Sequence, residues 1–258
     1  MRQQKGTGGI RMLKNEAIVT EKLKKEYGDK TAVAGIDLTV HEGELFALLG
    51  VNGAGKTTTI RMLSCLSTPT SGKAYVFGHD VTKEQETVKQ LIGISTQDTA
   101  VAENLTVEEN LKFMAGIFCK GDKNEIAART EEAIEAFKLD EVRNKRAKTL
   151  SGGWKRKLSI AMAIISDPKI LYLDEPTLGL DVLARRELWR TIEKLKEKMT
   201  IILTTHYMEE AESLADRIAI MIDGRLITVG SLAELEEKTG KKGLEEVFVA
   251  IAENGGLA

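Results

Sequence analysis

The sequence predicts an α/β protein with a mostly parallel sheet. Leu45–Leu49 is a continuous apolar run of five residues, which is typical of a strand buried on both faces. Two later apolar runs, at residues 170–173 and 200–203, are each bracketed by helical patterns. Strands that alternate with helices favour a parallel sheet covered by helices.

The first forty residues are rich in β-forming side chains. Short strands are predicted at 17–22, 31–34 and 36–40, with a turn at 27–30, and together they indicate an antiparallel β subdomain at the N-terminus. The five-residue strand that follows leads into a glycine-rich loop.

Helical patterns dominate the middle of the chain. A helix is predicted over 56–66, and residues 97–165 contain helices and no convincing strand. Thr106 and Glu109 form a capping-box signal for a helix that runs to about Phe118. We therefore expect an α-helical subdomain inserted in the α/β core.

Two further helical segments show different patterns. Residues 121–148 carry seven acidic and seven basic side chains, which indicates an exposed helical segment with many ion pairs. The helix after Asp181 has one apolar stripe, made by Trp189, Ile192, Leu195 and Met199.

Composition and charge exclude several classes of protein. The 258 residues contain 37 basic and 39 acidic side chains, a net charge of −2, so no global basic field favours nucleic acid. Two cysteines exclude a disulfide framework. The longest runs without a charge are about eleven residues, short of the roughly 20 that a membrane-spanning helix needs.

The glycine-rich loop matches the pattern G-x-x-x-x-G-K-[ST], which predicts a phosphate-loop NTPase core. Its glycines let backbone N–H groups point inward at a helix N-terminus, where an anion binds. The Lys56 ammonium suits the β- and γ-phosphates, the Thr57 hydroxyl suits Mg²⁺, and Thr58 is expected near the α-phosphate. The alternative is a glycine-rich turn without a ligand. The residues predicted to bind ATP are Gly50, Asn52, Gly53, Ala54, Gly55, Lys56, Thr57 and Thr58.

Two carboxylates end the predicted strand at 170–173. Neighbouring strand residues point in opposite directions, so we expect Asp174 to bind Mg²⁺ and Glu175 to face the attacking water as general base. The alternative is a solvated strand end before the Pro176 turn.

Three further motifs carry a resemblance to a known family. They are Leu-Ser-Gly-Gly at 150–153, Pro-Thr-Leu-Gly-Leu-Asp at 176–181 and Thr-Thr-His at 204–206. In this order and spacing the chain resembles the nucleotide-binding subunit of an ATP-binding cassette (ABC) transporter, from about residue 17 to residue 235. A GTPase is excluded because Asn144-Lys145 is not followed by the base-reading Asp, and a kinase would leave Ser151 and His206 unexplained.

The resemblance implies roles for single residues. Gln97 is implied to contact Mg²⁺ and water, which makes Thr57, Gln97 and Asp174 the metal ligands. His206 is implied to hydrogen-bond the γ-phosphate, the alternative being a surface histidine. Tyr27 is implied to stack on adenine, the alternative being a core or turn tyrosine.

The Ser-Gly-Gly segment implies a dimer. Ser151 is predicted as the N-cap of a helix that runs to Ile165, and Gly152 and Gly153 allow close approach to a phosphate. In the family this surface acts on the ATP of the other subunit, so two chains pair head to tail, and Asp181 is implied to couple the two halves. One departure from the family is Trp154, which stands where glutamine is usual.

These expectations define a function. The chain is expected to be an ATPase that powers transport through a separate membrane permease, as an exporter, at the cytoplasmic face of the membrane, with no nucleic-acid partner. The open alternatives are an ATP-dependent clamp or regulatory cassette without transport, and import. The expected organisation is an N-terminal arm at 1–14 with Met1 or Met12 as the start, an ATPase domain at 15–240 with the helical subdomain at about 97–165, and a short tail at 241–258.

Overall fold

The computed structural model describes residues 15–253. The predicted arm at 1–14 and the last five residues of the predicted tail lie outside this part of the chain. The described residues fall into two compact units, the first from residues 15–91 and 204–253 and the second from residues 92–203.

The first unit contains an antiparallel sheet in the order β2-β1-β4-β5 and a group of strands in the order β10-β9-β3. Strand β3 is parallel to β9, and β10 is antiparallel to β9. The elements of this unit are β1 Glu16–Tyr27, β2 Lys30–His41, β3 Leu45–Leu49, α1 Lys56–Leu63, β4 Ser71–Val76, β5 His79–Asp80, α2 Gln85–Leu91, α7 Met208–Leu214, β9 Arg217–Ile222, β10 Arg225–Gly230, α8 Leu232–Thr239 and α9 Leu244–Glu253.

The second unit combines strands in the order β8-β7-β6 with four α-helices and two 3₁₀ turns. Strand β6 is parallel to β7. The chain of strand β8 passes from this unit into the first one at Thr204. The elements are β6 Ile92–Ser95, α3 Val107–Phe118, α4 Lys123–Phe137, the 3₁₀ turns Asp140–Val142 and Ala147–Thr149, α5 Gly152–Ile164, β7 Ile170–Asp174, α6 Val182–Lys196 and β8 Thr200–Thr205.

The prediction of an α/β fold with a mostly parallel sheet and an N-terminal antiparallel sheet is confirmed. The three short N-terminal strands were predicted wrongly in extent, because the structure has two strands of twelve residues each. Lys22 has a positive φ of 45°, and the pairing of β1 with β2 shifts register between Thr20 and Leu23. Gly35, with φ of 87°, lies inside β2 and does not end it. These irregularities make one long strand look like two short ones in the sequence.

The predicted helix at 56–66 ends earlier, at Leu63. Cys65 adopts the left-handed region with φ of 61°, and the Leu66 N–H donates to the Arg61 carbonyl at 2.8 Å. The left-handed residue and this hydrogen bond satisfy a carbonyl of the last helical turn and end the helix.

The middle of the chain is helical, as its pattern indicates. Both bonds of the predicted capping box are present: Glu109 N–H donates to Thr106 Oγ1 at 3.1 Å, and Thr106 N–H donates to Glu109 Oε2 at 2.7 Å. One isolated β-bridge joins Thr106 to Arg146, in a region predicted to lack strands. The predicted apolar stripe is buried: Trp189, Ile192 and Leu195 lie on α6, and Met199 lies just beyond its end.

None of the helices found between Glu16 and Glu253 has the length and apolar character needed to cross a membrane.

Candidate functional site

The phosphate-loop segment joins strand β3 to helix α1 in the first unit. Gly53 and Gly55 have φ of 86° and 100°, a left-handed conformation that residues with a Cβ rarely adopt. At Gly50 a Cβ would lie 2.3 Å from the Met221 carbonyl oxygen, and at Gly55 it would lie 2.6 Å from that of Ala32. The glycines therefore let this loop curl tightly between its neighbours.

The Lys56 side chain folds back over its own loop. Its Nζ donates to the carbonyl oxygens of Gly50 at 2.7 Å and Val51 at 3.2 Å, and the residue is buried. The first turn of α1 contains no acidic residue that would compete with an anion. The loop thus combines a cation with a helix N-terminus whose first N–H groups have no partner inside the helix.

His206 follows strand β8 directly, and the residue before it, Thr205, contacts the phosphate loop. The Gly50 N–H donates to the Thr205 carbonyl oxygen at 3.3 Å. The His206 ring is partly exposed and packs against Tyr207, with 4.1 Å between ring centroids.

Tyr27 lies at the end of β1 and is 51% exposed, which excludes the alternative of a core tyrosine. The Lys25 ammonium lies 5.0 Å from its ring centroid. An exposed aromatic ring beside a cation is suited to stacking on a planar base.

Asp174 ends strand β7 in the second unit and Glu175 follows it, and both residues are buried. The alternative of a solvated strand end is therefore wrong. Glu175 has a φ of 49°, so its backbone leaves the strand conformation. The Leu178 N–H donates to the Glu175 carbonyl oxygen at 3.2 Å and closes the turn that follows.

Gln97 lies two residues after strand β6. Ser95 of β6 is the register partner of Leu173 in the parallel strand β7. The carboxyl ends of parallel strands meet at one edge of a sheet, so the segments that carry Gln97 and Asp174 leave the sheet at the same edge. The Gln97 side chain is exposed.

Ser151 occupies the N-cap position of α5, with φ of −64° and ψ of 163°, but its side chain makes no capping hydrogen bond. Ser151 therefore occupies the predicted N-cap position, but the predicted side-chain hydrogen bond is absent. Ser151 and Gly152 are exposed, and a Cβ at Gly152 would meet nothing within 4 Å. A Cβ at Gly153 would lie 3.5 Å from the Ala184 Cβ. The start of α5 thus presents an open backbone surface beside helix α6.

Asp181 caps helix α6. Its Oδ1 accepts hydrogen bonds from Leu183 N–H and Ala184 N–H, both at 2.9 Å. This contact is a local structural role that the sequence reasoning did not assign.

The structure distributes the predicted residues between the two units. The first unit holds Tyr27, the loop from Gly50 to Thr58, and His206, and the second holds Gln97, Ser151–Gly153, Asp174, Glu175 and Asp181.

Comparison with known proteins adds an independent result. The family model described as "ABC transporter" matches residues 33–178, more than half of the chain. The daunorubicin/doxorubicin resistance ATP-binding protein DrrA of Streptomyces peucetius is 44% identical over 227 residues, which cover 87% of this chain and 68% of that protein. This chain belongs to the ABC transporter family. It is an ATP-binding cassette subunit that hydrolyses ATP.

Other relatives of this ABC cassette differ in size. The human phospholipid-transporting ATPase ABCA3 is 42% identical over 213 residues, which cover 82% of this chain and only 12% of that protein. A solved ATP-binding subunit of an ABC transporter is 28% identical, with a TM-score of 0.81. The match covers 92% of this chain and 99% of the solved chain. A dimeric cassette in a post-hydrolysis state with ADP and Pi is 25% identical, with a TM-score of 0.76, and covers 83% of this chain and 98% of that one.

Several contacts of the cassette were missed by sequence reasoning. Arg156 donates from its two terminal nitrogens to the carbonyl oxygens of Thr96 and Gln97. Lys157 lies beneath the Trp154 ring and pairs with Glu187. The available signal was the basic run at 155–157 directly after Trp154, on a helix whose other residues are uncharged.

Proposed function

We propose that this cassette uses Mg²⁺ and ATP to drive export through a separate membrane permease. The observation that carries the proposal is the phosphate loop, in which a buried Lys56 lies over glycine backbone at the start of a helix. A site of this kind suits a polyphosphate, because it offers a cation and N–H donors together.

The chemistry of the metal donors fits Mg²⁺. Thr57 offers a hydroxyl, Gln97 an amide carbonyl and Asp174 a carboxylate, all hard oxygen ligands of the kind that Mg²⁺ prefers. When bound, the metal would neutralise charge on the phosphate oxygens. Asp174 is well placed for such a role because it is buried, where a carboxylate favours a cation as partner.

Glu175 is proposed as the general base that takes a proton from the attacking water. Its carboxylate is buried and is carried on a backbone with positive φ, a conformation that ordinary turns leave to glycine or asparagine. His206 is proposed to hydrogen-bond the γ-phosphate, and Tyr27 to stack on adenine.

The open surface at Ser151, Gly152 and Gly153 is proposed to contact the ATP of a second copy of the chain. Ser151 is exposed and its side chain makes no capping hydrogen bond, which supports a contact with an outside partner. The partner is proposed to pair head to tail, with Asp181 coupling the halves. The solved dimeric neighbour supports pairing of cassettes in general.

A membrane partner is proposed to dock beside helix α3. Phe113, Ile117 and Phe118 of this helix are 61%, 58% and 42% exposed and offer an apolar surface. The contact is proposed to include the segment 97–109, which leads into this helix. Similarity to a drug-resistance cassette supports export. Docking would hold the chain at the cytoplasmic face of the membrane as a peripheral subunit.

Two substitutions test the nucleotide chemistry. Lys56→Ala should weaken ATP binding about 10- to 150-fold, the effect of losing a hydrogen bond to a charged group. Glu175→Gln should keep ATP binding and lower turnover by ~10²–10⁴-fold. Calorimetry and phosphate release measure the two effects, and Lys83→Ala, which removes an exposed ammonium, is the control. Unchanged ATP affinity in Lys56→Ala would contradict the phosphate-loop assignment.

Cross-linking tests the membrane partner. Cysteines placed at Ala102 or Glu103 should form adducts with a membrane protein in native membranes, and Phe113→Ser should reduce their yield. Cysteine at Lys138, in the same unit, is the control position. Failure to form any membrane adduct, combined with normal ATP turnover, would favour a clamp that works without a permease.

A further inference from the structure

Helix α5 lies along strand β6 in the second unit through a line of close contacts. At Gly93 an added Cβ would lie 2.2 Å from the Ala163 carbonyl oxygen, so the two backbones touch there. Two residues later the Ser95 Oγ and the Ser159 Oγ share a hydrogen bond of 2.9 Å, and both side chains are buried. Strand and helix are therefore packed without room for sliding.

Arg156 extends this line beyond the end of the strand. Its Nη1 donates to the Thr96 carbonyl oxygen and its Nη2 to the Gln97 carbonyl oxygen, both at 2.7 Å. Arg156 is 6% exposed. A planar guanidinium presents these donors in a rigid fork, so two bonds fix both position and direction of the backbone that accepts them.

The three helix residues in this line lie on one face of α5. Arg156, Ser159 and Ala163 are separated by three and four residues, which places them on one stripe of a helix. The same helix begins at Gly152, next to Ser151. With a rise of about 1.5 Å per residue, Arg156 lies only ~6 Å along the axis from that start.

We infer that Arg156 is a positioning residue that couples Gln97 to the Ser151 surface within one chain. The inference rests on the proposed function, from which it takes the roles of these two residues. When Gln97 moves with its nucleotide, the fork carries the start of α5 with it. ATP in one half-site thereby sets the position of the surface that contacts the ATP in the other half-site.

The test compares Arg156→Met, Arg156→Lys and the control Arg190→Met, which removes an exposed arginine of the same unit. Methionine keeps the aliphatic stem and removes both donors. We expect Arg156→Met to bind ATP within twofold of the unmodified chain and to lose about 10- to 100-fold in kcat, the effect of misplaced reacting groups. Arg156→Lys retains a cationic donor but loses the rigid planar fork, so its kcat should lie between those of Arg156→Met and the unmodified chain.

A second readout separates positioning from folding. Amide hydrogen exchange should rise at 96–99 and at 151–155 in Arg156→Met, and should stay unchanged in α4 and α6 of the same unit. Faster exchange throughout the unit, with KM and kcat of the folded fraction unchanged, would mean that Arg156 is only structural and would overturn the inference. So would a kcat equal to that of the unmodified chain.

The outcomes distinguish this inference from the proposed function. If the unmodified chain binds and hydrolyses ATP while Arg156→Met behaves identically, only the coupling is wrong. If the unmodified chain neither binds nor hydrolyses ATP, the proposed function fails first. If Arg156→Met does not fold, Arg156→Lys decides: a full kcat without the planar guanidinium fork would overturn the inference.

Discussion

Replacing Trp154 with glutamine, the residue usual at this position in the family, tests what the indole does. In the structure its ring lies over the Lys157 ammonium, 4.5 Å from the nitrogen to the ring centroid. The same nitrogen pairs with Glu187 Oε1 of helix α6 at 2.8 Å. The indole therefore packs within the second unit and holds Lys157 toward α6.

The magnitude follows from the burial of Lys157. Its side chain is 6% exposed, so the cation–π contact is largely removed from water. Such contacts contribute about 1–2 kcal/mol at the buried end of their range. For a chain of this size, 1 kcal/mol shifts Tm by about 2–4 °C, so Trp154→Gln should lower Tm by ~2–8 °C.

Thermal melts and ATPase assays are run side by side on Trp154→Gln and on Trp154→Phe, which keeps an aromatic face and should lose less stability. A double-mutant cycle with Lys157→Met should give a coupling energy of about 1 kcal/mol. ATP affinity should stay within about twofold, and turnover should change by less than about tenfold, the effect of ~1.4 kcal/mol.

Two results would contradict this reasoning. A coupling energy near zero would show that the ring and the ammonium do not interact. Complete loss of hydrolysis in a stably folded Trp154→Gln variant would show a direct catalytic role for the indole.

Three further predictions concern other parts of the cassette. Asp181→Ala should lose about 1 kcal/mol of stability because it removes the cap of α6, whereas Asp181→Ser should keep the cap. If the serine variant has an unchanged Tm but lower turnover, Asp181 has a coupling role beyond capping. Tyr27→Ala should weaken ATP binding by ~5- to 150-fold in calorimetry while Tyr27→Phe stays near the unmodified chain, as base stacking requires. The hydrogen bond from Arg143 lowers the pKa of Glu108 from 4.5 to about 2, so this pair stabilises the fold fully above pH 4.5 and loses its effect as the pH falls toward 2. In thermal melts at a series of pH values, Arg143→Met should therefore have a lower Tm than Arg190→Met above pH 4.5, and this difference in Tm should shrink as the pH falls toward 2.

The elements that could be predicted are those whose signals are local. Leu45–Leu49 is apolar at every position because both its faces are covered, and its predicted bounds are those observed. The capping box at Thr106 and Glu109 needs only four consecutive residues, and both its bonds are present. Phosphate-loop residues are likewise contiguous, so their pattern is complete in the sequence.

The features that could not be predicted depend on distant partners. The length of β1 and β2 depends on pairing across a register shift near Lys22, which no single strand reveals. The Arg156 fork joins residues about sixty positions apart, and nothing beside Arg156 identifies its acceptors. Ser151 has the residue type and backbone of an N-cap, yet its side chain makes no capping bond.

Glu175 shows how a site can depart from what the local structure favours. A residue with a Cβ in the left-handed region costs roughly 1–2 kcal/mol, and a buried carboxylate adds a desolvation cost unless it is hydrogen-bonded or paired. Glycine would avoid the backbone cost in a turn that served only to leave strand β7. The positive φ turns Glu175 out of strand β7 at the position where the proposed chemistry needs a base, and Asp174 at the end of the strand is buried as well. Lys138, Asp167 and Asp223 share this backbone conformation but are exposed, so it is the burial of Glu175, and not its φ alone, that favours the proposed role as a base. Loss of turnover in Glu175→Gln with ATP binding retained is the result that would establish this role.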